Sequence, residues 1–270
     1  MTKKKTVASR STALVPITGT ALAPILDSND AVERLPGVGG SFARDRGVTL
    51  VTDRPYATRD RVVPASEIYF VDEAKPSADG PWLGEADKVA WRDEASGYEC
   101  IMLRDRHESF LSGYVGVPRE HPLWGWDHEA VSPALGIAVH GGLTYSEICQ
   151  DGPSPTRDIL VESRRICHVP ATPPKYGPID HASDYRVDDP HAFWFGFDCN
   201  HIYDIVPNAR SHRRQFLSAE TAAEYRDDTY VVREIVNLAA QLKAIADGTL
   251  APGREGPPLP PIGLDPQRGG

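Results

Sequence analysis

From Thr229 the apolar residues Val231, Ile235, Leu238, Leu242 and Ile245 recur at steps of three and four, which places them on one stripe of a helix. Asp227 and Asp228 stand at its start, where carboxylates cap free amides and oppose the positive helix end. Gly248 is placed to stop it. A single stripe of this kind must be buried against something flat. The chain upstream supplies short runs of β-branched and aromatic residues: Val48–Asp53, Glu67–Asp72, Tyr98–Asp105, Ser109–Pro118, Leu135–Gly142 and Ala192–Cys199. Only "RHE" separates the third from the fourth, which predicts a hairpin. The expected fold is α+β, a mostly antiparallel sheet packed against a C-terminal helix, with long loops and extended tails.

Residues 41–247 read as one domain. Residues 1–40 mix Thr, Ala, Pro and Gly without a period and are expected to form a flexible arm. Lys3 to Lys5 precede a mildly apolar stretch there, but Arg10, Pro16 and Thr18 interrupt it, against a cleaved export signal. Residues 248–270 are dominated by proline and glycine and are expected to be an extended tail. The stretch 151–190 is long and proline-rich. It is expected to be a lid over the site or a plain surface excursion.

The formal net charge of −9 argues against a protein that holds nucleic acid by neutralising phosphates. The densest basic run, Arg210 to Arg214, reads as a solvated loop or an anion site. No apolar run is long enough to cross a bilayer, so no membrane contact is expected. The four cysteines, Cys100, Cys149, Cys167 and Cys199, form no CxxC pair, which disfavours a structural zinc knuckle. Without an export signal they are expected to be reduced and the protein cytoplasmic.

Two segments carry residues suited to chemistry. In "VHGGLTYSE", His140 ends a strand-like run and Gly141 and Gly142 permit a sharp bend. Thr144 and Glu147 have capping-box spacing, so the stretch reads as a strand, a turn and a helix start. The same geometry would form an anion-binding concavity beside His140, with Tyr145 near enough to orient a substrate. In "FDCNHIYD", Asp198, His201 and Asp204 are types that bind divalent cations. Their spacing puts all three together only on a loop or irregular turn. The structural alternative is a turn cap, a satisfied histidine and a solvated carboxylate. Cys199 reads as buried packing or as a thiolate nucleophile. Upstream, His121 is held extended by Pro122, while Trp124 and Trp126 close the sheet end or line a pocket. Runs ending at Pro118, Val139 and Phe197 each deliver a histidine or carboxylate within a few residues. If these strands share an edge, His121, His140, Asp198 and His201 converge.

The ordered series "GYVGVPREHPLW", "VHGGLTYS", "FWFGFDCNH", "YRDDTYV" and "EIVNLAAQL" resembles an uncharacterised protein family associated with bacteriophage and actinobacterial genomes. The resemblance spans about Gly97 to Leu242 and implies no particular activity. Its signature positions correspond to Gly113, Tyr114, Gly116, His121, Pro122, His140, Gly141, Gly142, Thr144, Gly196, Asp198, Cys199, His201 and Asp204. Ile202 and Tyr203 stand where that family carries smaller residues.

These readings lead to an expected metal-assisted hydrolase, or related enzyme, acting on a small anionic substrate. Asp198, His201 and Asp204 would bind a divalent metal (Zn, Mn or Mg), with His140, Asp198, His201 and His121 catalytic. Gly141, Gly142, Thr144, Tyr145 and Trp124 would contact the substrate. The alternative is a non-catalytic, phage-type accessory protein that binds a nucleotide-like ligand or a host protein.

Overall fold

The computed structural model describes residues 35–37, 39–76, 80–148, 158–167, 192–209 and 223–260. The expected N-terminal arm, the basic run 210–214 and most of the 151–190 stretch lie outside these residues.

Ten strands form within them: β1 (Ser41–Asp45), β2 (Val48–Thr52), β3 (Tyr56–Ala57), β4 (Val62–Val63), β5 (Ala65–Val71), β6 (Lys88–Arg92), β7 (Glu99–Arg104), β8 (Leu111–Val117), β9 (Tyr145–Ile148) and β10 (Phe193–Asp198). Eight make one sheet in the order β1-β2-β5-β6-β7-β8-β10-β9, antiparallel at every pairing. β3 and β4 pair separately. The sheet has two buried faces, and the period-2 alternation of its strands sorts side chains between them. Ile68 and Phe70 of β5 enter the main core, while Tyr69 and Val71 enter a cluster on the far side.

Helix α2 (Asp228–Ala246) covers the first face over β7 and β8. Val231, Ile235, Leu238 and Leu242 are fully buried there, each contributing about 1.5–3 kcal/mol. The helix starts and stops as its sequence implies. The Asp227 carboxylate accepts from the Tyr230 amide at 2.9 Å, and Gly248 takes a left-handed φ of 63° just beyond the end. Gly113 lets the helix sit this low, because a Cβ there would lie 2.5 Å from both Ile235 and Phe197.

The short helix α1 (Ile159–Glu162) covers part of the opposite face. Ile159 and Leu160 pack beside Val48, Tyr69 and Val71; Ile166 and Cys167 pack beside Ile101, Tyr114 and Trp194. The described part of the proposed lid is therefore a cover for the far side of the sheet.

Three further expectations are corrected. Leu135–Gly142 is not a strand: Gly136 is left-handed, and Gln241 of α2 bonds the Ala138 amide and carbonyl at 2.7 and 3.0 Å, taking the place of a strand partner. Thr144 to Glu147 starts no helix. Residues from Tyr145 pair with β10 instead, so the helix-start anion site has no basis. Cys167 is disulfide-bonded while Cys100 and Cys199 are free and buried, which removes the argument from four reduced cysteines to a reducing compartment. No helix among the described residues is long and apolar enough to cross a membrane.

The described part of the proline-rich segment, residues 249–260, lacks helix and strand, yet it is tied to α2 at Arg254 and Glu255. Arg254 pairs with buried Glu234, and the Glu255 amide and carbonyl bond the Asn237 side chain at 3.0 and 2.9 Å.

Candidate functional site

β10 ends at Asp198, and the chain then makes a tight turn in which the Asp204 amide bonds the His201 carbonyl at 3.0 Å. Backbone bonds from Ile205 to Glu224 and from Glu224 to Tyr203, at 3.0 and 3.1 Å, dock this turn on the strand-like lead into α2. Ile202 points outward and is exposed, so its bulk does not hinder the turn. The segment bearing His140 runs beneath, and Gly141 (φ 66°) bends it sharply.

The result is a buried polar group. His140 Nε2 lies 2.8 Å from Asp204 Oδ2, and its Nδ1 lies 2.9 Å from the Tyr230 hydroxyl. The His201 amide donates to the same Asp204 oxygen at 2.9 Å, and the His201 ring packs edge-on against His140 with centroids 5.2 Å apart. Arg226 Nε donates to Asp204 Oδ1 at 2.8 Å. His140 and Asp204 have no side-chain exposure, whereas His201 retains 21%. Burial alone would push the Asp204 carboxyl upward. Hydrogen bonding to His140, the adjacent His201 and the Arg226 guanidinium outweigh it and hold the group well below the usual carboxylate range.

His140, His201 and Asp204 each offer one ligand atom, all within 4.8 Å of one another, so the group can hold a metal ion. His201 Nδ1 is buried without a hydrogen-bond partner, 3.5 Å from Asp204 Oδ2.

No protein-family model, curated protein or solved structure matches the chain.

The site's geometry separates the expected residues. His140, Gly141, His201 and Asp204 meet, and Gly142 follows at an open position. Asp198 lies outside the group: Ser112 and Thr144 donate to its two oxygens at 2.7 and 3.0 Å. Thr144 is thereby occupied as well. His121 is remote, since its Nε2 bonds the Leu242 carbonyl at 2.9 Å, and Leu242 is about 18 Å along the helix from Tyr230. Its Nδ1 accepts from the Leu123 amide at 3.1 Å, which fixes a neutral tautomer, and burial lowers its pKa further. Trp124 packs on Phe193 at the opposite end of β10, and Tyr145 packs on Tyr114 on the far face of the sheet. Cys199 is buried, and its thiol is pushed well upward, first by burial and then by Asp204 and Asp198. A neutral, enclosed thiol is no nucleophile.

Tyr230 and Arg226 escaped the sequence reading. Their signal was present in "YRDDTY", where an aromatic residue falls in the first turn of the helix beside its buried stripe.

Proposed function

We propose that the protein is a metal-assisted hydrolase whose ion is held by His140, His201 and Asp204. The observation that carries this reading is the outer support behind two of the three ligands, together with the buried, unpartnered Nδ1 of the third, His201. Metal-binding imidazoles and carboxylates need partners on their other atoms. Tyr230 stands at His140 Nδ1 and Arg226 at Asp204 Oδ1. The Tyr230 hydroxyl can donate or accept, so it serves the tautomer that frees His140 Nε2 for an ion. Two imidazoles and one carboxylate suit zinc or a similar transition metal better than magnesium. Bound there, the ion would supply a water of lowered pKa. The partly exposed side of His201 is the approach for a small substrate.

Zinc titration of chelator-treated protein by calorimetry tests this. One equivalent should bind the parent, and His201→Ala should lose it along with zinc-dependent hydrolysis of chromogenic esters or phosphoesters. Protein that takes up no zinc, or a His201→Ala variant that binds as the parent does, rejects the reading.

One observation favours a second, non-catalytic reading. Arg226 and His140 already satisfy Asp204, so the group is complete as a metal-free pin between the turn and α2. On that reading the purified protein carries no stoichiometric metal and serves as a binder.

A further inference from the structure

A cavity of about 110 Å³ opens at the sheet end where the β7–β8 turn meets the segment after α1. Its wall includes Arg104, Arg106, His107, Arg164, Glu73 and Asp87. The inner charges are already balanced. Arg104 pairs with Glu85 at 2.6 Å and Asp87 at 2.8 Å, and Lys75 adds a second cation on Asp87 at 2.9 Å. The outer charges are not. Among the described residues neither Arg106 nor Arg164 has an acidic partner, and Glu73 is the one carboxylate lining this cavity outside the balanced inner set. Two unpaired guanidiniums against one carboxylate leave a net positive lining in a chain of net charge −9.

The wall is braced as well. Asp105 Oδ1 accepts from the His107 and Glu108 amides at 2.8 and 2.6 Å, the Ser109 hydroxyl bonds the Ala74 carbonyl at 3.1 Å, and Asn208 bonds Ser109 at 2.8 Å. Opposite, the buried Ser163 hydroxyl bonds the Leu160 carbonyl at 2.8 Å, fixing the backbone that carries Arg164. Arg106 and Arg164 thus line one cavity from braced backbones in different layers of the fold, and a cavity of this size admits a small oxyanion. Guanidinium forks match the paired oxygens of carboxylates and phosphates.

We propose that this cavity binds a small oxyanion, either inorganic phosphate or a ligand bearing one phosphate or carboxylate group, through Arg106 and Arg164. It is independent of the His140 group. Calorimetric titration of the full chain with phosphate and with acetate, at matched ionic strength, should give saturable binding of one equivalent of at least one of them. Arg106→Gln and Arg164→Gln should each weaken it at least tenfold. Both side chains are exposed, so circular dichroism should report unchanged folding. His201→Ala should bind the anion as the parent does, which keeps this test separate from the metal site. Absence of saturable binding for both anions, or parent-like binding by the double arginine variant, overturns the proposal.

Discussion

The imidazole of His201 lies against Gly141 so closely that a Cβ added to the glycine would fall 2.0 Å from its Cε1 and 2.7 Å from its Nδ1. Glycine is required there twice over, by this approach and by the left-handed backbone. Gly141→Ala should cost about 2–4 kcal/mol in urea denaturation and displace the His201 ring. On the proposed function it should also weaken zinc binding at least tenfold. A variant as stable as the parent would show that the ring has room to move.

Asp204 and Asp198 should separate sharply. Asp204→Asn leaves Arg226 without its buried counter-charge and is expected to cost about 3–5 kcal/mol. Asp198→Asn keeps an acceptor for one of two hydroxyls and is expected to cost about 1 kcal/mol, with zinc binding intact. Equal losses in equilibrium unfolding would contradict the division between the two carboxylates.

Asp228 supplies a pH dependence. Burial, with the negative charge of Glu85 adding, raises its pKa to about 7 against the opposing hydrogen bond from Tyr56. The unfolded value is about 3.9. Between these values the folded chain holds a proton that the unfolded chain has released. This contribution to stability is therefore complete below about pH 4 and is lost as pH rises through 7, with a slope of up to about 1.4 kcal/mol per pH unit. Asp228→Asn should flatten that slope and be more stable than the parent at pH 8. Identical pH profiles for the two proteins would exclude it.

The two free thiols among the described residues, Cys100 and Cys199, should be inert in the folded state. Burial raises Cys100 and Cys199 well above the usual thiol range. Iodoacetamide at pH 8 should label neither until guanidinium unfolds the chain. Rapid native labelling of Cys199 would revive the thiol chemistry that its enclosure argues against.

Much of the scaffold was legible because it is written locally. The stripe from Val231 to Leu242, the Asp227 cap and the Gly248 stop each depend on residues within a turn or two, and β2, β5, β7, β8 and β10 announce themselves by composition. Three strands of the large sheet were hidden for physical reasons. β1 is exposed along its length and has no inward face to mark it, β6 opens on a buried lysine, and β9 has the spacing of a helix cap.

The site divides along the same line. Sequence alone determined that His140, His201 and Asp204 were suited to chemistry, since residue type and the turn between the last two are local properties. Tertiary structure alone decided that His140 meets Asp204 and Tyr230, 64 and 90 residues away, while His121 and Asp198 go elsewhere. Such meetings depend on strand register and on where a helix settles on a sheet. Those choices minimise the free energy of the whole packed chain, and no short window of residues records them.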